Sequence, residues 1–213
     1  MDAMAHEQVV RIPLGKITLE GGLAHKKGEP VVVFAHGSGS SRHSPRNQFV
    51  ARALNEAGIG TLLFDLLTRE EDTDYERRFD IELLTQRLEE VTKWLKRQPA
   101  TSKTKIGYFG ASTGAAAALK AAAELGKDIS AVVSRGGRPD LAGDALGRVG
   151  APTLFIVGGL DDAAIQLNRK AYLMIKSVKD LKIVPRATHL FEEPGTLEEV
   201  ARLAVAWFLK HLG

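Results

Sequence analysis

The chain has 213 residues, enough for a full core in one domain, with 44% hydrophobic and 26% charged residues, the proportions of a soluble globular protein. Its net charge of +3 comes from 29 basic and 26 acidic residues scattered through one another, with no basic run interleaved with aromatics, which argues against nucleic acid as a partner. It has no cysteine, so disulfides, thiolate catalysis and cysteine-held metals are excluded, and its longest apolar run, Leu203 to Leu209, is too short to span a bilayer.

The opening Met1-Asp2-Ala3-Met4-Ala5-His6-Glu7 lacks the apolar centre of a signal peptide, so a cytoplasmic location is expected. No repeat, low-complexity tract or linker rich in Pro, Gly or Ser interrupts the chain, which reads as one domain over residues 1–213. Val9 to Leu14 and the alternating segment around Ile17 and Leu19 predict an antiparallel pair with one face in water, and Gly21-Gly22 permits a bulge or bend in the second strand. Pro30 to Ala35 is continuously apolar and β-branched, as a strand covered on both faces must be. The polar loop His36-Gly37-Ser38-Gly39-Ser40-Ser41 follows it at once. Phe49, Val50, Ala53, Leu54 and Ala57 then mark a helix that stops at Gly58.

Thr61 to Phe64 predicts another buried strand. The charge-dense stretch from Arg69 to Asp80 predicts a solvated loop, and Ile81 to Arg97 an amphipathic helix with Leu84, Leu88, Val91 and Leu95 on one face. Ile106 to Phe109 is a strand that runs into Gly110-Ala111-Ser112-Thr113-Gly114 and then into an alanine-rich helix ending near Gly126. Ile129 to Val133 and Pro152 to Val157 are further strands, separated by a short crossing from Arg138 to Gly150. A helix over Ala163 to Val178, a last strand over Leu181 to Val184 and a closing helix over Leu197 to Leu212 complete the pattern. Buried strands alternating with amphipathic helices predict an α/β fold, with a mostly parallel sheet, helices on both faces and antiparallel N-terminal strands. In such sheets ligands bind at the carboxyl ends of the strands. The polar clusters after Ala35, Phe109, Val157 and Val184 should therefore converge.

Gly-x-Ser-x-Gly between a strand and a helix is the nucleophile-elbow pattern, whose serine stands on a turn too tight for ordinary backbone angles. A neutral serine hydroxyl is a poor nucleophile and needs a base, which in turn needs an orienting acid. After Ser112 the histidine near a strand end is His189, and the acid between them comes from Gly159-Leu160-Asp161-Asp162. Spacing leaves Asp161 and Asp162 unseparated: one can be the acid and the other the N-cap of the next helix. For the oxyanion of the tetrahedral intermediate the elbow offers the main-chain N–H of Thr113, and the loop after Ala35 offers that of Ser38. Gly37 and Gly39 let the backbone approach a substrate closely, and His36 is expected to hydrogen-bond within its loop. Arg135 and Arg138, also at a strand end, can meet an acidic substrate group or form ion pairs.

These stretches resemble the dienelactone-hydrolase-like branch of the α/β-hydrolases. The resemblance is carried by Phe34 to Ser41, Gly110 to Gly114, Ser134-Arg135-Gly136-Gly137-Arg138-Pro139-Asp140, Val157 to Asp161, and Ala187-Thr188-His189 through Gly195. It implies the α/β-hydrolase fold, with Ser112 as nucleophile, Asp161 as acid, His189 as base, and Ser38 and Thr113 as oxyanion donors. Dienelactone hydrolases proper carry cysteine at the elbow, so the serine here implies a serine esterase. Similar sequences also occur fused to phosphoribosyltransferase domains. The crossing from Arg138 to Gly150 is too short for a cap domain, which predicts an open, shallow site for small or extended esters. The expected protein is thus a serine carboxylesterase that uses no cofactor and no metal and takes a small-molecule ester. The alternatives are an acyltransferase or peptidase on the same triad, or a binding module that keeps the hydrolase fold without turnover.

Overall fold

The computed structural model describes residues 7–213; residues 1–6, most of the stretch read above for a signal peptide, lie outside them. The strands are β1 (Gln8–Leu14), β2 (Ile17–Ala24), β3 (Val31–Ala35), β4 (Gly60–Phe64), β5 (Ile106–Ala111), β6 (Ile129–Arg135), β7 (Thr153–Gly158) and β8 (Lys179–Val184). The helices are α1 (Pro45–Glu56), α2 (Ile81–Arg97), α3 (Thr113–Leu125), α4 (Asp162–Met174) and α5 (Thr196–Leu212). All strands join one eight-stranded sheet in the order β1-β2-β4-β3-β5-β6-β7-β8. β1 and β2 pair antiparallel, β2 meets β4 antiparallel, and every later pair is parallel. This is the α/β-hydrolase architecture expected from the alternation of strands and helices.

Successive residues of a strand point to opposite faces, and the two cores follow that period. Val31, Val33, Tyr108, Val132 and Phe155 face α2 and α3, where they meet Leu84, Leu88, Val91 and Leu95 and the alanines of α3. Val32, Phe34, Phe109, Val133 and Ile156 face α1 and α5, against Val50, Leu54, Val200, Ala204 and Phe208. Ala115 to Ala118 are all fully buried, so the small side chains let α3 lie close under the middle of the sheet. Ser44 caps α1 by accepting from the Asn47 amide, with Pro45 at the first helical position.

Two expectations change. Gly21 and Gly22 form no bulge: β2 runs through them in unbroken register with both neighbours. At Gly21 a Cβ would come within 3.1 Å of the Leu63 carbonyl oxygen and the Phe64 Cβ, so the residue serves close strand approach. The helix read to Val178 ends at Met174, and β8 begins at Lys179 instead of Leu181. Tyr172, Ile175 and Val178 prolong the helical spacing, but Ile175 turns to extended angles and is fully buried, and Lys179 to Leu181 pair with Thr153 to Phe155. Core burial and the β7 ladder outweigh local periodicity there.

Around the site the structure follows the expected lines. The charged stretch after Arg69 holds two short 3-10 turns, and the crossing after Arg138 is a 3-10 segment broken at Gly143, with no inserted domain.

Candidate active site

β5 delivers Ser112 to the carboxyl edge of the sheet, and α3 starts at the next residue. Ser112 has φ 50° and ψ −121°, angles an L-residue adopts only under constraint. The flanking glycines explain how the turn closes. A Cβ on Gly110 would lie 2.5 Å from the Ala115 Cα, and one on Gly114 would fall on the carbonyl oxygens of Ala35 and His36. The Ser112 main chain is held from the end of β6: its N–H donates to the Arg135 carbonyl (3.3 Å), and its carbonyl accepts from Arg138 N–H (3.1 Å).

The loop that follows β8 brings His189 to the same turn. A methyl on Gly136 would sit 3.0 Å from the His189 carbonyl oxygen and 3.7 Å from its ring Cε1. Residues 135–138 thus hold Ser112 on one flank and touch His189 on another. The His189 loop is itself tied down: Ala187 O accepts from Leu160 N–H (2.9 Å), Glu193 accepts from Thr188 N–H (3.0 Å), and buried Phe191, at φ 57°, anchors it.

Asp161 Oδ2 lies 2.7 Å from His189 Nδ1, with the carboxylate side chain 16% exposed and the imidazole 41%. A carboxylate can only accept, so Nδ1 carries a proton, and in the neutral imidazole Nε2 is the nitrogen with the lone pair. The other carboxylate oxygen, Oδ1, accepts from Ala164 N–H at 3.1 Å and caps α4. Asp161 makes both contacts that spacing left open between the two aspartates, to His189 and to the N-terminus of α4, while Asp162 is the exposed first residue of that helix.

The loop after β3 packs against the elbow. A Cβ on Gly37 would stand 3.0 Å from the Ser112 Cβ, and Gly39 lies further along at φ 68°. His36 Nδ1 meets Gly37 O at 2.9 Å, and His36 Nε2 accepts from Leu66 N–H at 3.1 Å, so the ring is neutral with its proton on Nδ1. Burial lowers its pKa below the ordinary 6.5, opposed by the Gly37 carbonyl and by Asp65 and Asp72. Ser38 N–H donates to the Thr113 side-chain oxygen at 2.9 Å. Beside this loop opens a cavity of about 220 Å³ lined by His36, Ser40, Ser41, Arg42, His43 and Asp65 among others. Arg42 is paired there with Asp65 and Glu20.

Arg135, read above as a residue that meets an acidic substrate group or forms an ion pair, is only 6% exposed. Its guanidinium donates to Asn47 Oδ1 (3.2 Å) and lies 5.8 Å from the Phe191 ring centroid, while its Nε has no partner among the described residues. Burial, and secondarily the charge of Arg46, pull its pKa down to about 10. It therefore props the His189 loop against α1 from beneath, and Arg46 does so from outside through Glu192 (2.9 Å). Arg138 pairs with Asp140 at 2.8 Å. Sequence reasoning passed over Asn47, Phe191 and Asn168. Fully buried Asn168 donates to Gly137 O (3.0 Å) and Ala164 O (2.8 Å), tying α4 to the turn that holds Ser112. The available signal was an asparagine on the apolar face of α4, between Ile165 and Ala171.

The family model described as dienelactone hydrolase family matches residues 19–208. Two Mycobacterium tuberculosis proteins with a provisional phosphoribosyl transferase name are 56% identical over 212 residues, which cover 99% of this chain and 48% of each relative. The chain thus spans about half the length of these curated relatives. The crystal structure of a dienelactone hydrolase from Anabaena variabilis superposes with a TM-score of 0.96 at 52% identity, covering 99% of this chain and 100% of that one. A dienelactone hydrolase-like promiscuous phosphotriesterase from metagenomic libraries shares the fold at 19% identity, with a TM-score of 0.80 over 99% of this chain and 100% of its own.

Proposed function

This chain belongs to the dienelactone hydrolase family, and on that footing we propose that it is a serine hydrolase that cleaves carboxylic esters through an acyl-enzyme. Ser112 Oγ attacks the ester carbonyl carbon as His189 Nε2 takes its proton. Asp161 holds the Nδ1–H tautomer and stabilises the imidazolium that forms. The oxyanion faces the Thr113 main-chain N–H and the loop of Gly37, Ser38 and Gly39. The C–O bond then breaks, and the imidazolium returns its proton to the departing alcohol. Water, activated by the same imidazole, attacks the acyl-enzyme and releases the acid. Arg135 acts in this reading by supporting the His189 loop.

The observation that supports the reading most is the His189–Asp161 contact at 2.7 Å, made beside a turn that also grips the positive-φ Ser112. The absence of an inserted cap along Pro139–Arg148 fits small or extended esters in an open site. We assign the activity in the tuberculosis relatives' name to the half of those proteins that this chain does not match.

A fluorophosphonate probe should label the wild type at Ser112 and leave Ser112→Ala unlabelled. Hydrolysis of a short p-nitrophenyl ester should fall by roughly 10⁴-fold or more in Ser112→Ala and in His189→Ala, since triad members act as a unit. A folded wild type that takes no label, or a Ser112→Ala variant that keeps its esterase activity, overturns the reading.

A further inference from the structure

We infer that the second oxyanion donor is the side-chain hydroxyl of Thr113, and that the Ser38 amide works through it instead of touching the substrate. The inference rests on the acyl-enzyme reading above.

The amide of Ser38 is already committed, since its N–H donates to Thr113 Oγ1 at 2.9 Å. The peptide that carries this N–H is pinned at its other end as well. The Gly37 carbonyl of the same peptide is 2.9 Å from His36 Nδ1, whose proton it accepts, and it also takes the Ser40 N–H at 3.1 Å. In a trans peptide the C=O and the following N–H point in opposite directions. Freeing the Ser38 N–H by turning the plane would therefore break both contacts to Gly37 O.

Thr113 itself has little freedom. It is 3% exposed, and its β-branched side chain is restricted at χ1 in the first turn of α3. A hydroxyl that accepts a hydrogen bond keeps a proton to give. With Oγ1 gauche to the main-chain N the two atoms are neighbours, and an oxyanion that accepts from the Thr113 N–H then comes within hydrogen-bond reach of the O–H too. The chain Ser38 N–H to Thr113 O–H to oxyanion is cooperative, because the incoming bond polarises the hydroxyl. Any residue but proline at position 113 supplies the main-chain N–H; only a hydroxyl-bearing one supplies this second donor.

The test is steady-state hydrolysis of a p-nitrophenyl ester, with inhibition by a trifluoromethyl ketone as a transition-state probe. Thr113→Val keeps the shape and removes the O–H. Its kcat should fall by about 100-fold, the scale of one lost oxyanion donor, with KM within about 3-fold. The inhibition constant should rise by the factor by which kcat/KM falls. Thr113→Ser should stay within about 5-fold of wild type. Thr113→Ala, expected to lose as much as the valine variant, replaces it if the latter does not fold. A valine variant with wild-type kcat overturns the inference, because the released Ser38 N–H would then suffice. So do equal losses in the serine and valine variants, which would place the effect in packing of the methyl group. Retained activity in Ser112→Ala would instead overturn the acyl-enzyme reading, whatever Thr113 does.

Discussion

Asp161 spends one oxygen on the Ala164 amide and the other on the His189 imidazole, so a single carboxylate fixes both the start of α4 and the tautomer of His189. Asparagine caps a helix about as well as aspartate but cannot hold an Nδ1–H imidazole as a carboxylate does. Asp161→Asn should therefore cut kcat by about 10³- to 10⁴-fold and leave the thermal midpoint nearly unchanged. Asp161→Ala should lose activity and also about 1 kcal/mol of stability. Asp162→Asn should change neither; if its kinetic cost exceeded that of Asp161→Asn, the acid would be wrongly placed. His36 gives a second prediction at this scale. Its folded pKa is lowered by burial, so below 6.5 the unfolded chain binds the proton more readily than the folded one. The stability it contributes is complete above that value and is lost as pH falls through the depressed folded pKa. Protonation would also put a proton on Nε2, against the Leu66 N–H it now accepts. The thermal midpoint of the wild type should thus drop between pH 7 and pH 5 more steeply than that of His36→Asn.

The elbow shows how one element's sequence is dictated by its neighbours. β5 and α3 meet at an angle so tight that Gly114 lies under the carbonyls of Ala35 and His36. Gly114→Ala pushes a methyl into backbone that carries the Gly37–Ser38 loop. It should cost about 3 kcal/mol in urea unfolding, at the upper end of overpacking effects, and should lower esterase activity in the fraction that remains folded. Gly126→Ala, at φ 54° with open space around it, is the control for backbone strain alone and should cost about 1 kcal/mol. The elbow was legible because its pattern is local: two glycines, a serine and the flanking apolar runs suffice to recognise it. α2 was legible to the residue, from Ile81 to Arg97, because Leu84, Leu88, Val91 and Leu95 repeat on one face and Asp80 caps the first turn. The α4–β8 boundary was not, because Ile175 and Lys179 answer to the core and to β7, which the local spacing does not reveal.

At the scale of the molecule, the parallel order of β3, β5, β6, β7 and β8 brings loops distant in the chain to one edge of the sheet. That convergence was foreseeable, because a parallel sheet must carry its connections at the strand ends. Arg135 shows where foresight stopped. Its position at the end of β6 was readable, but the direction of its guanidinium, inward to Asn47 and Phe191, depends on where α1 and the His189 loop lie. Strand and helix periods, the elbow pattern and the order of serine, aspartate and histidine along the chain are properties of neighbouring residues and of chain order, and the amino-acid sequence determined them by itself. Which aspartate meets His189, 28 residues away, and which atom takes the Ser38 amide, 75 residues away, were decided only by the tertiary structure. Such contacts turn on side-chain direction and on distances of a few ångströms between segments that meet only when the sheet is assembled.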